Sequence, residues 1–186
     1  MFTDAQLTTA MIWKVTGIVF ALDVILILLA RHLISRERFN QMRWLLAGAG
    51  GVFFLGVWIS VLWWGWDWFY SYIFPGWARY LLPPVFFLAY TLIALGMGWL
   101  SLKLPGNPAV SWCVLGGVEG LLTHIYAIYG LGAATKPPIM QGSDPFAVLI
   151  FAIFEKAFYW SLILLSCTFI LRITWRRSRK IDIAGS

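Results

Sequence analysis

The chain is short of charge. Of its 186 residues only 12% are Asp, Glu, Lys or Arg, where an ordinary soluble domain carries about 25%. That shortage excludes a soluble domain of this length, whose surface would lack polar cover. It also excludes a disordered chain, which needs high charge and few apolar residues. Acidic residues are the scarcer sign, eight against fourteen basic, for a net charge of +6. The excess does not mark a nucleic-acid binder, because the basic residues sit at the ends of apolar stretches, where they set membrane orientation. Cysteine is nearly absent. Cys113 and Cys167 lie inside apolar runs and form no CxxC pair, so a disulfide framework and a paired-thiol relay are excluded.

Catalytic motifs are also missing. The sequence holds no HExxH, no repeated Glu-x-x-His, no phosphate loop and no dinucleotide fingerprint. The two histidines, His32 and His124, lie more than ~20 Å apart in depth by helical rise, too far for one haem to bridge. No serine has a recognisable acid–base partner. The sequence therefore assigns no catalytic residue and no metal ligands, and it leaves the cofactor open.

What is abundant is apolar surface, 61% of the residues. A spanning helix needs ~20 mostly apolar residues. Five stretches meet that length, at about 10–30, 44–64, 81–101, 109–133 and 146–171. The expected fold is all-α: one integral membrane domain over 1–186, a bundle of five transmembrane helices. The first stretch reads as a retained anchor, because basic residues follow it and only Lys14 falls early within it. Loops on one side carry Arg31, Arg36, Arg38, Arg43, Lys103, Arg172, Arg176, Arg177, Arg179 and Lys180, and loops on the other carry Arg79 and Lys136. Ten against two predicts the N-terminus outside and the C-terminus cytoplasmic. A prokaryotic plasma (inner) membrane is the expected location.

Between the second and third stretches lies WWGWDWFYSYIFPGWARY, with ten aromatics in eighteen residues. Rings with a polar tip favour the headgroup layer, so this is read as an interfacial segment. Trp63, Trp64, Trp66, Trp68, Tyr70, Tyr72 and Trp77 are its candidates for docking a partner subunit, a pigment or a quinone. The string from Trp77 through Pro83, Pro84, Val85 and Phe86 to Tyr90 resembles a short piece of the tryptophan-rich sensory (translocator) proteins, which also have five spans. It precedes the third span here and the second in that family, and the family's later motifs are absent, so no activity is carried over from it.

Ionisable side chains within spans are costly and therefore candidate functional groups. Five qualify: Asp23, Glu119, His124, Glu155 and Lys156. If the last two spans pack as an antiparallel pair, His124 and Glu155 fall level and could exchange a proton or fix helix register. Cys113, Gly117, Gly120, His124 and Ala127 share one stripe, mostly small, which predicts close approach of another helix. Glu119 lies on a different face and is expected toward the first span and Asp23. Lys156 is free to meet a carboxylate on another helix. GAGG at Gly48–Gly51 reads as a site of close packing rather than a phosphate cradle.

Three classes of function fit. The first is a non-catalytic or accessory subunit of a larger membrane complex, of the kind that handles electrons, protons or light. The second is a small proton, ion or solute transporter using the intramembrane carboxylates and His124. The third is an enzyme or binder for a lipid-soluble molecule such as a quinone, sterol or isoprenoid. The expected partners are the bilayer, other membrane subunits or a second copy of the chain, and a lipid-soluble ligand; nucleic acid is not among them.

Overall fold

The computed structural model describes residues 8–60, 74–132 and 143–184, with side chains described up to residue 173. Among these residues all regular structure is helical. The helices are α1 (Thr9–Leu33), α2 (Arg36–Ser60), α3 (Ala78–Lys103), α4 (Pro108–Ile125) and α5 (Pro145–Ala184), with a π-helical turn, Tyr126–Gly130, continuing α4. Four of them, α1, α2, α3 and the first 29 residues of α5, are long and apolar enough to cross a membrane. These four suit an integral, multi-pass membrane protein. Helix α4 is shorter, 18 residues, contains Glu119, His124 and three glycines, and is not among these four.

Helix boundaries depart from the expected spans where local caps override hydropathy. Helix α2 starts eight residues before Trp44, because Ser35 caps it: the Arg38 N–H donates to Ser35 Oγ at 3.3 Å and the Phe39 N–H to the Ser35 carbonyl at 2.9 Å. The basic segment expected as a loop is thus mostly helical. Helix α3 starts at Ala78, where the Ala78 N–H meets the Pro75 carbonyl at 2.9 Å, so Pro83 and Pro84 fall inside the helix and not in its first turn. Helix α4 is opened by Asn107, whose Oδ1 accepts from the Ala109 N–H at 2.8 Å, followed by Pro108 at the first position. Asp144 and Pro145 open α5 in the same way.

The basic end of the bundle is tied by hydrogen bonds. The Arg36 guanidinium donates to the carbonyls of Leu102 (2.7 Å), Leu104 (3.2 Å) and Gly106 (3.3 Å), closing the end of α3. Asn107 Nδ2 reaches the Arg31 and Ile34 carbonyls, both at 3.3 Å. The α1–α2 and α3–α4 turns therefore lie together. At the opposite end the Asp144 N–H donates to Thr9 Oγ1 at 3.0 Å. Exposed Trp44 and Trp99 stand near the basic end, with Arg43 and Lys103 over their rings at 5.4 and 5.7 Å. Exposed Trp77 and Tyr80 stand near the other end. By helical rise Trp77 and Trp99 are about 33 Å apart along α3, close to the ~30 Å of a bilayer's hydrocarbon core.

The core lies between the α2–α3 and α4–α5 pairs, with Phe39, Leu46, Phe54, Tyr90, Ala94, Trp112, Trp160 and Leu164 buried together. The GAGG segment packs as expected. A Cβ at Gly51 would collide with Thr91, and one at Gly50 would lie 2.9 Å from the Trp160 ring. Helix α1 rests on α5 and α4 from one side and leaves most of its apolar residues facing outward, including Ile18, Ile25 and Leu28.

Candidate functional site

Helices α4 and α5 approach closely because glycines on one meet large side chains on the other. A Cβ at Gly116 would lie 2.5 Å from Trp160 Cδ1, and one at Gly120 would lie 2.6 Å from Lys156 Cβ and collide with the Ala152 carbonyl. The two spacings match: Gly116-x-x-x-Gly120 runs antiparallel to Lys156-x-x-x-Trp160, one turn against one turn. This register carries Glu119 and Lys156 into the same buried layer.

Lys156 Nζ lies 3.7 Å from Glu119 Oε2 and donates to the Tyr90 hydroxyl at 2.9 Å. Trp160 Nε1 donates to the same Glu119 oxygen at 3.2 Å, and Trp112 Nε1 donates to the Trp160 carbonyl at 3.0 Å. Glu119 and Lys156 are each 8% exposed. Aromatic faces complete the shell. The ammonium sits 4.3 Å from the Phe54 ring centroid and 4.8 Å from that of Tyr90, and those two rings stack at 3.9 Å. The cation is thus held by one carboxylate, one phenol and two ring faces. Within this cluster Glu119 Oε1 has no hydrogen bond.

The other candidates are placed differently. Glu119 does not meet Asp23: it turns to α5 and α3, and Asp23 faces the small stripe at Cys113 and Gly117 from the far side of α4. The reason is register, since the same glycines that admit Trp160 and Lys156 aim Glu119 at α5. His124 and Glu155 are not level. Gly120 already faces Ala152 and Lys156, so His124, four residues on, lies about one turn beyond Glu155. The His124 ring turns back on its own helix, Nδ1 donating to the Gly120 carbonyl at 3.0 Å, while Glu155, Lys156 and Glu119 remain within electrostatic range. The π-helical turn begins two residues after His124, with the Leu131 N–H on the Tyr126 carbonyl at 3.0 Å.

Asp23 is 2% exposed, and neither of its oxygens has a hydrogen-bond partner. It borders a cavity of about 260 Å³ between α1, α4 and α5. Of the aromatic docking candidates, Trp77 is exposed; Trp63, Trp64, Trp66, Trp68, Tyr70 and Tyr72 lie outside the described residues. Among the described residues no three His, Cys, Asp or Glu side chains converge as metal ligands.

Sequence reasoning missed Tyr90, Trp160, Phe54 and Trp112. For Trp160 a signal existed: it lies one turn after Lys156, on the face that the Gly116–Gly120 pair requires to be occupied. Tyr90 and Phe54 carried none, because their role depends on how α2 and α3 dock. Comparison with protein-family models, curated proteins and solved structures finds no match for this chain.

Proposed function

We propose that this chain is a non-catalytic, accessory subunit of a larger membrane complex, of the kind that handles electrons, protons or light. One observation carries the reading: Glu119 and Lys156, the buried charges where α4 meets α5, are spent on each other. Lys156 is engaged by Glu119 and Tyr90, Glu119 is engaged by Trp160, and the shell around them is aromatic. A transport path needs polar groups that exchange partners and reach water at both ends. An ion pair buried under rings instead fixes how helices pack. On this reading α4 is the fifth span, the N-terminus lies outside and the C-terminus in the cytoplasm of a prokaryotic cell. The positive-inside asymmetry supports that orientation.

The test is gentle extraction at native abundance, followed by mass spectrometry and an absorption spectrum on the same sample. Partner chains in fixed ratio are the expected result. A monodisperse lone chain with an activity of its own overturns the proposal. So does ion flux in reconstituted vesicles that Glu119→Gln abolishes.

A further inference from the structure

We propose that the cleft between α1, α4 and α5 is a binding site for a lipid-soluble molecule bearing a hydroxyl group, anchored by Asp23. The cavity measures about 260 Å³ and is walled by Phe20, Val24, Cys113, Gly117 and Phe154, with the Phe20 and Phe154 rings in edge contact at 5.1 Å. No lining residue is basic, and the only carboxyl on the wall belongs to Asp23. Asp23 is 2% exposed, is among the residues lining the cavity, and has no hydrogen-bond partner on either carboxyl oxygen. Buried polar atoms are nearly always hydrogen-bonded, and an orphaned pair calls for a missing partner.

The cavity's chemistry selects that partner. Its walls are hydrocarbon, ring and glycine, which favour an apolar body. Asp23 is the one acidic or basic residue along the cavity, and its oxygens sit just behind the apolar wall, where a donor reaches them once the side chain turns inward. A hydroxyl serves in either protonation state of Asp23: it donates to a carboxylate oxygen, or it exchanges reciprocal bonds with the acid form and satisfies both oxygens at once. Alcohols and phenols of the bilayer have this form, an apolar body with one O–H. Helix α1 closes the cleft from one side by resting on α5 and α4. The site is separate from the Glu119–Lys156 network on the opposite face of α4, so it can exist whether or not the chain is an accessory subunit.

Equilibrium dialysis tests this with the full chain in nanodiscs, empty nanodiscs subtracting bilayer partition. The probes are 1-naphthol and its methyl ether, 1-methoxynaphthalene. One saturable equivalent of naphthol per chain is expected, with the ether binding at least tenfold more weakly because it cannot donate. Asp23→Leu is expected to abolish naphthol binding. It removes an unpaired buried carboxyl and so leaves a folded bundle. Val114→Phe, at a half-exposed lining position, is expected to block the cavity with Asp23 intact. Naphthol uptake no greater than in empty nanodiscs overturns the proposal. Equal binding of the ether, or full binding by Asp23→Leu, overturns it as well.

Discussion

Two faces of helix α4 carry the same kind of problem and solve it differently. Toward α5 and α3, Glu119 meets a lysine, an indole N–H and a wall of rings, and Gly116 and Gly120 bring the partner helix to contact. Toward α1, Asp23 is buried as deeply but meets only apolar walls and space. A membrane bundle gains little from apolar contact between helices, because lipid is as apolar as leucine. Its cohesion comes from close packing and polar pairs. The α4–α5 face has both, and the α1 face has an orphaned acid. The comparison predicts where substitutions will hurt.

The largest effect is expected at Lys156. Lys156→Ala leaves Glu119 buried without its cation, which should cost about 3–5 kcal/mol. Unfolding in graded denaturing detergent measures it. Replacing both partners, Glu119→Gln with Lys156→Met, should recover most of the loss, because no charge is then left alone. If the double variant is as unstable as Lys156→Ala, the pair is not what holds these helices together, and the contrast with the Asp23 face collapses.

A smaller effect is expected at Gly116. An added methyl would press on Trp160 at 2.5 Å, and Trp160 is fully buried between Gly50, Trp112 and Tyr90 with no room to shift. Gly116→Ala should cost about 1–3 kcal/mol, the usual range for overpacking. It should also weaken the Trp160–Glu119 hydrogen bond, seen as a change in tryptophan emission. An unchanged midpoint and spectrum would mean that α4 and α5 sit farther apart.

Much of this was legible in the sequence, and the limits follow from physics. Hydropathy located the helices, since a bilayer demands long apolar runs, and the boundaries slipped where Ser35 and Pro75 made local caps that hydropathy does not register. Glu119, Lys156 and Asp23 stood out because charge is rare inside a span. Their partners did not, because which carboxylate meets the lysine depends on register. That register was written in the matching four-residue spacings of Gly116–Gly120 and Lys156–Trp160, but reading it requires knowing that these two faces meet. Tyr90 and Phe54 reach Lys156 only through the docking of α2 and α3 on the other pair, a non-local event that no spacing encodes.

The smallest effect separates the two faces most cleanly, because its sign changes. Gly17 lies mid-helix in α1, and a Cβ there would meet nothing within 4 Å. Glycine within a helix costs about 0.5–1 kcal/mol relative to alanine through backbone entropy, and no packing contact offsets that here. Gly17→Ala should therefore raise stability by up to that amount, where the same exchange at Gly116 lowers it. Both variants add one methyl group to one helix of one bundle, so composition and hydropathy change identically. Only the neighbour differs, the Trp160 ring in one case and open space in the other. If Gly17→Ala is instead destabilising, something outside the chain packs against α1 at that level. A partner helix would then occupy the side that this bundle leaves bare, and the loss should vanish when the chain is purified alone.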